Sequence, residues 1–102
     1  MKFTKRESEQ ARKYLAALKA DPSHAVAAAA IEHAVNELVK DPLKPPRGLR
    51  VHAWQGELCP HGKTKLEAWA STSGAAYRVW YCLCRAGASE PTINFIAYGP
   101  HA

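Results

Sequence analysis

The fold that this chain of 102 residues predicts is α+β: an N-terminal helical hairpin packed on one face of a mainly antiparallel four-stranded sheet. Three observations carry that expectation. Residues 4–40 repeat apolar side chains at helical spacing. Residues 49–98 alternate apolar and polar side chains in four short segments, separated by turn-rich links. All the helical signals precede the strand signals, which segregates the helices on one side of the sheet. The whole chain, residues 1–102, then forms a single domain, with the hairpin at 4–40 and the sheet at 49–98.

The first helix is read from Thr4-Lys5-Arg6-Glu7, which fits a capping box: a threonine N-cap with glutamate three residues later. Ala11, Tyr14, Leu15 and Leu18 then share a face, and the helix stops near Ala20. Asp21-Pro22 restarts the chain, since aspartate caps well and proline suits the first helical position. The second helix buries Ala27, Ile31, Ala34, Val35 and Leu38, and Asp41-Pro42 ends it. A short turn between two amphipathic helices predicts an antiparallel hairpin.

Pro45-Pro46 and Gly48 lead into the sheet. In residues 49–54, Leu49, Val51 and Ala53 share one side, and residues 56–62 form a loop. Leu66, Ala68 and Ala70 then oppose Lys65, Glu67 and Trp69. Tyr77, Val79, Tyr81 and Leu83 oppose Arg78, Trp80, Cys82 and Cys84, and Ile93, Phe95 and Ala97 oppose Asn94, Ile96 and Tyr98. With helices on one face, the other carries polar groups mixed with large aromatics, a composition common on binding faces.

Composition narrows the function classes. Apolar residues make up 47% of the chain, too many for a disordered protein. The longest alanine-rich run, residues 25–31, is too short to span a membrane, and no apolar stretch follows the basic N-terminus, so a cytoplasmic protein without a signal peptide is expected. A net charge of +5 suits a phosphate-bearing partner and equally suits plain solubility. Three cysteines, an odd number, argue against a disulfide framework.

The chain resembles the RelE/ParE superfamily of bacterial toxins. Tyr77-Arg78-Val79-Trp80-Tyr81 is similar to that family's Tyr-Arg-Val-x-Tyr strand, and Leu66-Glu67-Ala68-Trp69 to the strand before it. Phe3-Thr4 and the following helix resemble its opening strand and first helix. Residues 35–42 resemble the end of its second helix, and residues 95–101 its closing strand. The collinear order carries the resemblance, because no single motif is specific. The chain departs from the family in a very short first strand, in the loop at residues 56–62 with its Cys59-Pro60-His61, and in lacking the terminal tyrosine that many ribosome-dependent members use.

The resemblance implies a toxin of a toxin–antitoxin system, a ribosome-dependent mRNA endonuclease that inhibits translation. Its partners would be the ribosome with its mRNA and a cognate antitoxin. The RNA 2′-hydroxyl would be the attacking group, so no cofactor is implied. The protein would hold the phosphodiester, stabilise its growing charge and move protons. On that basis Arg78 is the expected phosphate ligand, with His101 and Glu67, or His52, as acid or base. Lys63 and Lys65 add charge, and Trp69, Trp80 and Tyr98 offer stacking planes for RNA bases. Arg78→Ala is expected to abolish growth inhibition with the fold kept.

Each of these has a plainer reading, such as an Arg78–Glu67 cross-strand ion pair. Two further functions stay open. One is a non-enzymatic ParE-like binder of DNA gyrase, or a catalytically silent binding protein on the same fold. The other is a binding module stapled by zinc through Cys59, His61, Cys82 and Cys84, with one intervening residue in each pair where two to four are usual.

Overall fold

The computed structural model describes residues 3–60, 62–71, 76–86 and 90–100. The described elements run β1 (Thr4–Glu7), α1 (Glu9–Ala20), a 3₁₀ turn (Pro22–His24), α2 (Ala25–Lys40), a second 3₁₀ turn (Arg47–Leu49), β2 (His52–Leu58), β3 (Thr64–Ser71), β4 (Ala76–Ala86) and β5 (Glu90–Pro100). They build one five-stranded mixed sheet in the order β1-β5-β4-β3-β2. The α+β class stands, but the four-stranded, mainly antiparallel sheet is overturned. A fifth strand, β1, pairs parallel with β5, placing Thr4 opposite Thr92 and Glu7 opposite Phe95.

The reason lies at Ser8. The capping-box reading assigns residues 4–7 to the first helical turn, yet Ser8 is the N-cap. Its hydroxyl accepts from the Ala11 amide at 3.0 Å and donates to the Ile96 carbonyl at 2.6 Å. The Ser8 amide also donates to the Phe95 carbonyl at 2.9 Å. One serine therefore caps α1 and closes the β1–β5 pairing, with its second partner 88 residues away. Thr4 to Glu7 satisfy their backbone groups against β5 rather than within a helix.

Asp21 does cap the second turn, accepting from the Ser23 amide at 3.0 Å, but the first three residues are 3₁₀ and α2 proper begins at Ala25. Leu49 belongs to a 3₁₀ turn, so β2 starts at His52 and runs through part of the expected loop to Leu58.

Both helices pack on one face of the sheet. Ala11 and Leu18 of α1 join Ala27, Ala28, Ile31, Ala34, Val35 and Leu38 of α2 in burial. Opposite them lie Ala68, Ala70, Val79, Tyr81, Ile93, Phe95 and Tyr98. The small side chains let α2 approach β3 and β4 closely. Full burial of Ile31, Leu38 and Phe95 contributes about 1.5–3 kcal/mol each.

A bulge in β5 decides which face Tyr98 serves. Trp80 pairs with Ala97 and Tyr81 with Phe95, so Ile96 is the extra residue. Strict alternation puts Tyr98 beside Asn94 and Ile96. The bulge instead returns it to the helix side, where its ring packs on Phe95 and its hydroxyl donates to Glu7 Oε2.

Ser8→Ala should cost about 1–2 kcal/mol in urea unfolding, while Thr4→Ala should stay within about 0.5 kcal/mol. A larger loss at Thr4 would restore the capping-box reading.

The two buried tyrosines make a contrasting pair. Burial, and next the bond to Glu7, push the Tyr98 hydroxyl far above the ordinary tyrosine value, and burial does the same for Tyr81. Because the folded values are raised, this stability is intact below about pH 10 and is lost as pH climbs beyond it. Tyr98→Phe should cost about 1–2 kcal/mol at neutral pH and flatten the alkaline decline. The Tyr81 hydroxyl has no hydrogen-bond partner among the described residues, so Tyr81→Phe should leave neutral-pH stability unchanged or raised. Equal losses in the two variants would contradict these assignments.

Candidate functional site

The face of the sheet away from the helices divides into two groups along β4. At one end are Arg78 and Trp80, and at the other Cys82 and Cys84. Strand alternation aims all four the same way.

The first group is built around a buried ion pair. Glu67 and Arg78 are only 2% and 3% exposed, and Arg78 Nε lies 3.3 Å from Glu67 Oε1. The register sets Glu67 opposite Trp80 and Arg78 opposite Trp69, so the charges meet on the diagonal. The contact is Coulombic rather than an aligned hydrogen bond, for Arg78 Nε and Glu67 Oε2 both lack a hydrogen-bond partner among the described residues. Arg78 also donates from Nη1 to the Tyr77 carbonyl at 3.3 Å. Its guanidinium carbon sits 4.2 Å from the Trp69 ring centre, a cation–π contact worth up to about 2 kcal/mol when desolvated.

His52, which opens β2, and Arg50, which caps the preceding 3₁₀ turn, complete this group. His52 is directly opposite Glu67 and places Nε2 3.1 Å from Glu67 Oε1, while its Nδ1 is 2.8 Å from the Arg50 carbonyl. Unlike the pair beneath it, the His52 side chain is 49% exposed. Arg50 holds a left-handed backbone conformation, φ 47°, and brings its guanidinium 4.8 Å from the Trp69 ring. Trp69 thus meets a buried arginine and an exposed one. Trp54 meets Trp80 edge-on at 5.8 Å, and Trp80 also packs on Gly99, where a Cβ would lie 3.4 Å from the ring. The register of β2 against β3 shifts between Ala53 and Leu58, where Gln55 and Gly56 take positive φ. The indole Nε1 of Trp80 is buried without a hydrogen-bond partner among the described residues.

The expected site residues therefore separate. Arg78, Glu67, Trp69 and Trp80 come together, with His52. Lys65 lies on the same face, with Nζ 3.5 Å from Glu57 Oε2. Lys63 is exposed in the β2–β3 turn. Tyr98 belongs to the core on the helix side. His101 and His61 lie outside the described residues. The sequence reading names neither Arg50 nor Trp54 as a site residue; the spacing His52-x-Trp54 carries the signal of a common strand face, whereas Arg50 precedes the strand in a left-handed conformation.

The second group holds all three cysteines. Cys59, Cys82 and Cys84 are buried, with the Cys82 and Cys84 sulfurs 3.8 Å apart and all three sulfurs within 4.8 Å of one another. Ile96 covers them. Burial, followed by hydrogen bonds with Cys59 and Cys84, pushes the Cys82 thiol far above the usual thiol range.

Comparison of the chain with family models, curated proteins and solved structures finds no match. Among the described residues, no helix is long and apolar enough to cross a membrane.

The geometry gives Arg78 a buried counter-ion. An arginine this buried serves first as the counter-ion of Glu67. Truncating one partner of such a pair leaves an uncompensated charge. Arg78→Ala should therefore lose about 3 kcal/mol or more in urea unfolding, whereas Lys63→Ala should change stability by less than about 0.5 kcal/mol. An Arg78→Ala protein as stable as the wild type would return Arg78 to the role of a dispensable phosphate ligand.

Proposed function

We propose that this protein is toxin-like and acts on translation by binding and cutting mRNA on the ribosome through the face formed by Arg50, His52 and Trp69. The observation that carries this reading is the grouping of an indole with two guanidiniums beside an exposed histidine. That set offers a stacking plane, phosphate-binding charge and a proton-exchanging group in one place. The RelE/ParE resemblance supplies the substrate, an mRNA whose own 2′-hydroxyl attacks the adjacent phosphodiester.

Within that scheme the roles follow accessibility. Arg50 is exposed and contacts the phosphate, where its fork can take two oxygens. His52 exchanges the proton, held in orientation by Glu67. Arg78 positions Glu67 and Trp69 from below. A ribosome, its mRNA and a small antitoxin remain the proposed partners, in the cytoplasm.

The burial of Arg78 favours a second reading, a catalytically silent member that binds a protein such as gyrase. Its mark would be inhibited supercoiling with translation intact.

Purified protein added to a bacterial translation extract, followed by mapping of mRNA ends, should give ribosome-dependent cuts. His52→Gln and Arg50→Ala should each lower the cutting rate by about 10²-fold or more while keeping the wild-type circular dichroism spectrum. Intact mRNA and undisturbed translation would remove the nuclease reading.

A further inference from the structure

We infer that Cys59, Cys82 and Cys84 form a binding site for a soft divalent metal ion, zinc, that ties the β2–β3 turn to the open face of the sheet. The inference is independent of any activity on RNA.

Sulfur spacing is the first argument. A zinc–thiolate bond is about 2.3 Å long, so two thiolates on one tetrahedral ion sit roughly 3.8 Å apart. Cys82 and Cys84 show a sulfur separation of 3.8 Å, and Cys59 completes the triangle inside 4.8 Å. No disulfide joins any two of them. A disulfide would need sulfurs about 2.05 Å apart.

The path of the chain is the second argument. Leu58 is 65% exposed and Pro60 is exposed, yet Cys59 between them is 4% exposed. The turn is shaped to send this one side chain inward. The Cys59 amide donates to the Lys63 carbonyl at 2.7 Å, the Gly62 amide donates to the Cys59 carbonyl at 2.9 Å, and Gly62 takes φ 76°. Cys82 and Cys84 meet it from alternate positions of β4, one strand beyond the partner of β2. Side chains two apart on a strand aim the same way, and here their sulfurs converge.

Chemistry supplies the third. Thiolates are the ligands that select zinc over the harder magnesium and calcium ions. A zinc ion here would fasten the turn after β2 to the central strand β4. It would thereby hold the β2–β3 hairpin, which carries His52 and Trp54 and follows directly on Arg50, against the sheet.

The test uses the whole chain, purified under a non-thiol reductant without chelator and freed of metal by dialysis. Cobalt(II), a spectroscopic stand-in for zinc, should bind with a stoichiometry of about one. It should show thiolate charge-transfer absorption and the visible bands of a tetrahedral ion, and zinc should displace it. Zinc should also raise the Tm of the wild-type protein, as any ligand of the folded state does. Cys84→Ser should weaken binding by about 100-fold or more and reduce the charge-transfer intensity. Folded, reduced wild-type protein that shows no cobalt spectrum and no shift in Tm with zinc would overturn the proposal. An unchanged cobalt spectrum in Cys84→Ser would overturn it too. The wild-type titration decides even if the variant does not fold.

Discussion

The contact between Glu67 and Arg78 is the constraint on which the open face depends. Both charges are almost wholly removed from water. Desolvating two ions costs several kcal/mol each, so the pair stabilises the fold only in combination. The register of β3 against β4 sets the two side chains on the diagonal. It also sets the neighbours. Trp69 lies against Arg78, and His52 reaches the same carboxylate oxygen from the outer strand. Above the pair stand an exposed histidine, an exposed arginine and a half-buried indole. Those are the groups through which the proposed contact with RNA is made.

β4 links the two side-chain groups of the open face. On a single strand face it passes from a buried guanidinium through an indole to two thiols. The charged end is held by Coulombic attraction and ring stacking. The thiol end is buried and covered by Ile96. A metal ion at that end would give the β2–β3 hairpin a second anchorage. The ends of that hairpin would then be fixed independently, by the His52–Glu67 contact and by the thiolates.

Much of the fold was legible because its signals are local. The apolar stripe of α2, the Asp21-Pro22 restart and the alternation in β3 and β4 are each written within a dozen residues. The family resemblance alone pointed to a short opening strand at Phe3-Thr4; the residue pattern did not mark β1, because its partner is β5 and the serine that closes the pairing bonds to Ile96. A threonine and a glutamate three residues apart fit a helix start as well as an exposed strand. The side of Tyr98 was lost for a related reason. A single extra residue, Ile96, inverts the alternation, and nothing in residues 93–98 marks it. At the site, the plainer reading of Arg78 as a cross-strand partner of Glu67 described the contact well, and the sequence held both halves of it. Arg50 was overlooked because its approach to Trp69 depends on a left-handed backbone turn. The cysteine cluster was visible as two spaced pairs, although only the path of the turn brings Cys59 to β4.

A double-mutant cycle on Glu67→Leu and Arg78→Leu, followed by urea unfolding, tests the central constraint most directly. Large losses are expected in both single variants, with a double variant far more stable than their sum implies and a coupling energy of about 1.5–3 kcal/mol. Losses that add to within about 0.5 kcal/mol would show that the two charges do not depend on each other, and the organisation of the open face described above would fall.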